Sequence, residues 1–113
     1  GVTFKPNTDD MRESSSLIMI PMLSKKGANI KYYDPSGPKK EFYKLKNVRF
    51  CEDIMSTCNK VDLVIIHTEW DEFKSIDFKK AVKKNNFKIF DMRNLYSHSY
   101  MKKKGIKYYS IGR

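Results

Sequence analysis

The chain has 113 residues, of which 40% are hydrophobic and 13% are aromatic. This length suits one domain around one hydrophobic core, and the composition excludes a disordered tail. No apolar run approaches the ~20 residues of a membrane-spanning helix. We therefore expect a single cytoplasmic domain that does not bind a membrane.

The net charge of +10 comes from 23 basic and 13 acidic residues. Such a surplus of positive charge suggests nucleic acid as a partner, and tyrosines placed between lysines could stack on bases. Most of the cations, however, are scattered lysines, whereas proteins that read bases rely on clustered arginine. We interpret the lysines as solubility charge and expect no nucleic-acid partner. Core packing is expected to explain most of the six tyrosines considered, Tyr32, Tyr33, Tyr96, Tyr100, Tyr108 and Tyr109.

Gly1 to Phe4 has the composition of the end of a buried strand, and three serines then precede an apolar helix predicted over 17–26. Beyond it, strand and helix patterns alternate. Strands are predicted at 28–33, 62–67, 88–91 and 107–111, and helices at 52–59, 75–84 and 99–104. Residues 39–49 are expected to form a loop with a short extended piece. The apolar run in 62–67 suits a central strand buried on both faces. Repeated β-α units of this length predict an α/β fold with a mostly parallel sheet.

Two cations follow predicted strands, Lys5 after the first and Arg93 after the strand at 88–91. The carboxyl ends of parallel strands meet at one edge of a sheet, where α/β proteins bind ligands. Lys5 and Arg93 would there form a clamp for a diphosphate. In the alternative interpretation, Arg93 pairs with Asp91 or Glu69, and Asp9 and Asp10 neutralise Lys5 and Arg12. For Lys5 and Arg12, spacing and charge alone support an anion site and neutralisation by the aspartates about equally.

Other polar residues after strands have structural interpretations. Asp34 precedes a proline and a glycine and is expected to serve in a turn. Thr68 and Glu69 are expected to cap a helix, with Trp70 covering the sheet edge. His67 and His98 have no partners at the spacing of a catalytic triad or metal site, so each is interpreted as a hydrogen-bonded polar residue.

The residue order within several sequence motifs is more specific than their charge. "FKPNTDDMRESSS" at 4–16 is followed by "YDP" at 33–35, "TEWDEF" at 68–73, "FDMRNLY" at 90–96 and "YYSIGR" at 108–113. In this order the blocks resemble the C-terminal, UDP-binding domain of the UDP-glucose 6-dehydrogenases, in the UDP-glucose/GDP-mannose dehydrogenase family. The resemblance implies a Rossmann-like three-layer sandwich whose first strand is truncated at the N-terminus. Residues 1–113 would then be one domain, a fragment of a longer enzyme.

The resemblance also implies a function. The family oxidises UDP-glucose to UDP-glucuronate with two NAD. By similarity, Phe4, Lys5 and Arg93 contact the UDP-sugar, and Arg12 reaches NAD. The main NAD site and the catalytic cysteine of the family lie upstream of this domain, and neither Cys51 nor Cys58 has the sequence context of that cysteine. The chain alone is therefore expected to be inactive and to act with the rest of a dehydrogenase chain, which would form a homodimer.

Two alternatives to this function stay open. The first is the same domain of a dehydrogenase for UDP-N-acetylmannosamine or GDP-mannose. The second is a free-standing module that binds nucleotides or nucleic acid.

Overall fold

The computed structural model describes residues 1–112, in which short strands alternate with helices. The helices are α1 (Ser16–Lys25), α2 (Ile54–Cys58), α3 (Phe78–Val82) and α4 (His98–Lys103). The strands are β1 (Ile30–Tyr32), β2 (Val48–Phe50), β3 (Leu63–Ile66), β4 (Lys88–Asp91) and β5 (Lys107–Ser110). Two 3-10 turns, Lys40–Phe42 and Asp71–Ser75, complete the described elements. None of the helices within residues 1–112 has the length and apolar character needed to cross a bilayer.

All the strand pairs are parallel. Strand β1 pairs with β2, and β3, β4 and β5 form a second sheet in that order. Parallel neighbours need a crossover between them, and helices α3 and α4 supply it for the second sheet. The predicted α/β class and parallel pairing are confirmed.

Two predicted elements differ from the structure. The expected loop at 39–49 contains the start of β2, which is recognisable only by its pairing with β1. The helix expected over 75–84 is divided into the 3-10 turn Asp71–Ser75 and the short helix α3. Asp77 separates these two elements because its carboxylate accepts a hydrogen bond from the Lys80 N–H, a cap that begins a new helix.

The hydrophobic core consists of two clusters. One contains Ile20 of α1 with Tyr32 of β1 and Phe42. The other packs α2, α3 and α4 against one face of the three-stranded sheet, and includes Ile89 and Met101. The expectation that β3 is buried on both faces is wrong, since Leu63 is 38% exposed. No cluster of residues 1–112 covers the face that carries Leu63.

The first residues do not form the strand that the sequence predicts. The N–H groups of Val2 and Thr3 donate to a carboxylate oxygen of Asp34, just after β1, at 2.8 and 3.1 Å. On the other side, the Thr3 carbonyl accepts a hydrogen bond from Thr68, just after β3. A Cβ added at Gly1 would lie 2.8 Å from the Phe73 ring, so the packing here leaves room only for glycine. Residues 1–3 thus connect the two sheets through polar side chains.

Candidate functional site

The candidate site lies where strands β1, β3 and β4 end, which we call the carboxyl edge. Asp34, His67 and Thr68, and Asp91 follow or end these strands, and the segment from Val2 to Lys5 lies beside them. The geometry of this edge decides which of the predicted site residues come together.

Asp34 anchors the segment to β1. It is 1% exposed. One carboxylate oxygen accepts from Val2 and Thr3, and the other accepts from the N–H and hydroxyl of Ser36. Burial raises the pKa of Asp34, but the hydrogen bonds from Ser36 and Val2 outweigh it, so the pKa lies below its ordinary value. The predicted turn role is confirmed, and the bonds to Val2 and Thr3 add a second role that the sequence does not reveal.

Thr68 and Trp70 anchor the same segment from β3. The Thr68 hydroxyl donates to the Thr3 carbonyl, and the Trp70 indole N–H donates to the Thr3 hydroxyl at 3.2 Å. The expectation that Thr68 caps a helix is wrong, because the next element is a 3-10 turn whose N-cap is Trp70 and which has no side-chain cap. The threonine hydroxyl is used instead to satisfy a buried carbonyl.

The serines at the start of α1 also bind this edge. Ser14 and Ser16 each donate a hydroxyl to the Val2 carbonyl at 2.6 Å. The Ser15 hydroxyl lies 2.9 Å from Nδ1 of His67. Although Ser15 is the N-cap of α1, its side chain makes no capping bond. The three serines therefore fix the start of α1 to the carboxyl edge.

His67 is buried and electrically neutral at pH 7. Desolvation lowers its pKa to about 4, and the positive charge of Arg93 acts in the same direction. Its hydrogen bond to Ser15 fits the sequence interpretation of a hydrogen-bonded polar residue.

Arg93 contacts the segment from Val2 to Lys5. Its Nη2 donates to the Phe4 carbonyl at 2.6 Å, and its Nε lies 3.3 Å from a carboxylate oxygen of Glu69. The Arg93 side chain is 34% exposed, so it is reachable from solvent. Glu69 holds the guanidinium, as the alternative interpretation expects. The same guanidinium bonds to the carbonyl of Phe4, the residue before Lys5, and the clamp with Lys5 stays a prediction.

The other two cations differ from Arg93. Lys5 is exposed and makes no ion pair within residues 1–112. Arg12 makes its hydrogen bonds with Asp10, and its side chain is 89% exposed. The bond from Arg12 lowers the pKa of Asp10 to about 2. Neutralisation by Asp10 is therefore confirmed for Arg12, and Arg12 does not join the Phe4, Lys5 and Arg93 group.

A recess on the surface does not coincide with this group. It has a volume of about 470 Å³ and lies along α4 and β5, lined by residues such as His98, Lys102 and Tyr108. None of the predicted site residues lines it. Residues 1–112 also contain no cluster of histidine, cysteine and carboxylate side chains that could hold a metal ion.

Comparison with known proteins identifies the family. Residues 1–98 match the model of the UDP-binding domain of the UDP-glucose/GDP-mannose dehydrogenase family. The chain belongs to this family. It is 36% identical to the UDP-glucose 6-dehydrogenase of Rhizobium meliloti and 38% identical to the UDP-glucose 6-dehydrogenase TuaD of Bacillus subtilis, over the whole chain in both cases. It spans about a quarter of the length of these relatives, 26% and 25%.

A solved structure shows the same fold. The NDP-N-acetyl-D-galactosaminuronic acid dehydrogenase from Methanosarcina mazei superposes with a TM-score of 0.83 and 24% identity, over 100% of this chain and 23% of that one. The Rossmann-like α/β fold expected from the resemblance is thereby confirmed. The family is one of dehydrogenases, and this chain is its UDP-binding domain.

Proposed function

We propose that the carboxyl edge binds the diphosphate of UDP-glucose, within a dehydrogenase that oxidises UDP-glucose to UDP-glucuronate with two NAD. The observation that carries the proposal is the placement of the Arg93 guanidinium on the Phe4 carbonyl, one residue from Lys5. Because residues 1–4 are anchored by Asp34 and Thr68, the backbone that bears Lys5 is fixed next to the Arg93 contact with Phe4 before any ligand binds.

The chemistry of the two cations suits a diphosphate. A guanidinium has five N–H donors in a planar fork. Phe4 and Glu69 occupy two of the Arg93 donors, and the remaining ones are available to phosphate oxygens. Lys5 adds a mobile positive charge. The N-terminus of α1, a helix of 10 residues, is fixed at the same edge and favours a negative ligand.

In the proposed reaction this domain positions the sugar and does not carry out the chemistry. Binding energy from the unreacting diphosphate orients the sugar carbon that is oxidised. Burial raises the pKa of the Cys58 thiol, which disfavours the thiolate that a nucleophile needs. We therefore propose that the catalytic cysteine belongs to another part of the enzyme, and that the purified chain forms no NADH from UDP-glucose.

Arg12 is the residue proposed to contact NAD. It is exposed and positively charged, which fits an outer contact to the cofactor's phosphates, although Asp10 competes for its guanidinium. The chain has no G-x-G-x-x-G motif, so NAD would be held mainly by another domain. When bound, NAD would serve as the hydride acceptor. We also propose that this domain acts together with the rest of a dehydrogenase chain. The complete enzyme would be a homodimer located in the cytoplasm.

Isothermal titration of the chain with UDP-glucose tests the proposal. We expect saturable binding that Lys5→Ala weakens about tenfold, because one charge-assisted contact is worth about 1.5 kcal/mol or more. Lys44→Ala, which removes an exposed lysine from the loop before β2, is the matched control and should bind as the unaltered chain does. UDP-glucose binding that is unchanged by Lys5→Ala would contradict the role of this lysine.

The same titration separates the related substrates. Parallel titrations with GDP-mannose and UDP-N-acetylmannosamine should give weaker binding than UDP-glucose. Tighter binding of either ligand would show that this ligand, and not UDP-glucose, is the substrate. The proposal of a diphosphate site would be unaffected.

A further inference from the structure

One face of the three-stranded sheet has no helix on it. In a strand, residues two apart lie on the same face, and the register pairs Leu63 with Lys88 and Lys88 with Lys107. The next row along the same face is paired in the same way. We call this surface the open face, and it consists of Leu63, Ile65, Lys88, Phe90, Lys107 and Tyr109.

The two faces of this sheet differ in burial. On the opposite face, Ile89 is fully buried and Tyr108 is 9% exposed, both within the core that includes α3 and α4. On the open face, Phe90 is 42% exposed and Tyr109 is 48% exposed. No hydrophobic cluster of residues 1–112 includes either of them. Core packing, the explanation expected from the sequence, therefore does not account for Tyr109.

The open face repeats one arrangement on two neighbouring strands. Lys88 precedes Phe90 by two residues on β4, and Lys107 precedes Tyr109 by two residues on β5. The two rings contact each other, with centroids 5.2 Å apart and planes at 90°. Exposed rings on a sheet, each next to a lysine, are the combination that binds single-stranded nucleic acid, since bases stack on the rings and lysines attract the phosphates.

The charge of the chain is concentrated in the segment that contains β4 and β5, the two strands that carry the exposed rings. Residues 79–107 contain nine lysines and Arg93 against a single acidic residue, Asp91, so they carry +9 of the net charge of +10. Among these nine lysines, only Lys84 pairs with a carboxylate within residues 1–112. Seven of them lie at the ends of α3 and α4, in the loops that follow, or at the starts of β4 and β5: Lys83, Lys84, Lys88, Lys102, Lys103, Lys104 and Lys107.

These positions are adjacent in space. Where a helix crosses between parallel strands, its C-terminus and the start of the next strand lie at the same edge of the sheet. The lysines therefore form a rim at the amino end of the sheet, at the opposite end of the strands from Arg93, and Lys88 and Lys107 carry it onto the open face. Lysines at helix ends favour the helix dipole, but that role explains neither Lys88 nor Lys107, which start strands.

We propose that the open face and its lysine rim bind single-stranded RNA without sequence preference. Two bases stack on Phe90 and Tyr109, and Lys88, Lys107 and the lysine rim neutralise the flanking phosphates. The surface is distinct from the carboxyl edge, so it operates whether or not UDP-glucose binds there. This proposal replaces the expectation that the chain has no nucleic-acid partner, because only the strand register places the lysines and rings on one surface.

The test is fluorescence anisotropy of the chain with a labelled oligo-uridine of about 12 nucleotides, within the usual range of site sizes. We expect saturable binding whose affinity falls at least tenfold between about 50 and 200 mM salt. Phe90→Ala and Tyr109→Ala should each weaken binding about tenfold, because stacking of one base is worth about 1–3 kcal/mol. Both side chains are half exposed, so the fold should be retained, which circular dichroism checks.

Controls separate this surface from general charge. Tyr43→Ala removes a ring that is 69% exposed in the other half of the chain and should leave RNA binding unchanged. Saturating UDP-glucose should not displace the RNA. Absence of binding at low salt overturns the proposal. So does equal loss with Tyr43→Ala, or binding that ignores Phe90→Ala and Tyr109→Ala. Retention of the chain on anionic lipid vesicles without RNA binding overturns it in favour of a membrane surface. None of these outcomes bears on UDP-glucose binding.

Discussion

The carboxyl edge and the open face use positive charge in different ways. At the carboxyl edge few cations are present, and Arg93 is held by Glu69 and the Phe4 carbonyl. At the open face and its lysine rim the lysines are many, and Lys88 and Lys107 make no ion pair within residues 1–112. The first arrangement suits one ligand in one orientation, since the Arg93 guanidinium is fixed in place. The second suits a long polyanion, which requires charge density and no fixed geometry.

The comparison shows that the number of charges does not locate a specific site. Residues outside 79–107 have 13 cations and 12 acidic residues, so they are nearly neutral, yet they supply Lys5 and the whole scaffold that positions it. What distinguishes the carboxyl edge is its hydrogen bonds. No side-chain polar atom buried within residues 1–112 is left without a partner. We therefore expect the largest effects from substitutions in that scaffold.

The largest effect is expected from Asp34→Ala. The change leaves the buried N–H groups of Val2 and Thr3 without their acceptor and releases the segment that bears Lys5. We expect the free energy of unfolding to fall by about 4 kcal/mol, since each buried donor left unsatisfied costs about 1–3 kcal/mol. Urea denaturation followed by circular dichroism measures it.

The matched control is Asp53→Ala, because the Asp53 carboxylate also accepts a backbone N–H but at the exposed start of α2. Its loss should cost about 1 kcal/mol, as for an ordinary helix cap. Equal losses for Asp34→Ala and Asp53→Ala would show that the buried anchor has no special weight.

A smaller effect is expected from acid through His67. Its pKa is about 4 in the folded chain, below the ordinary value of 6.5. As the pH falls below about 6.5, the unfolded chain binds this proton first. Stability is therefore complete above pH 6.5 and declines until about pH 4, by about 3 kcal/mol. Urea titrations at several pH values should show this loss in the unaltered chain.

The variant His67→Gln isolates that contribution, because glutamine can still bond to Ser15 but does not titrate. Other groups, among them Asp10, titrate in both proteins, so their effects cancel in the difference. A pH dependence that is the same in both proteins would show that His67 is not the group responsible.

The smallest effect is expected from Arg12→Ala. Arg12 is exposed and bonded to Asp10, not to the Phe4, Lys5 and Arg93 group, so UDP-glucose affinity should change less than about twofold. In the complete dehydrogenase the same change should raise the KM for NAD. Titration and steady-state kinetics check the two statements. A tenfold loss of UDP-glucose affinity would place Arg12 in the sugar-nucleotide site.

Much of the fold can be predicted from local patterns. The strand at 88–91 is found as expected, and the helix at 17–26 and the strands at 62–67 and 107–111 each agree within one residue at either end. What fails depends on distant partners. Strand β2 exists because β1 pairs with it, and Leu63 is exposed because no helix returns over its face. Neither fact can be predicted from a short stretch of neighbouring residues.

The site follows the same division. The sequence motifs indicate Phe4, Lys5, Arg12 and Arg93 as site residues. The positions of Lys5 and Arg93 after strands predict that these two residues share one edge of the sheet. The anchoring roles of Asp34, Thr68 and the serines at the start of α1 are not predictable, because each bonds a group that is remote in sequence or assigned to a strand. The open face needs the strand register, which a net charge does not contain.

The most direct test of the central claim is the affinity of the chain for UDP-glucose before and after Arg93→Ala, measured by titration calorimetry at fixed salt. We predict at least a tenfold loss, because the change removes the guanidinium that lies beside Phe4 and Lys5. An unchanged affinity, with the fold intact by circular dichroism, would contradict the claim that the carboxyl edge binds the diphosphate.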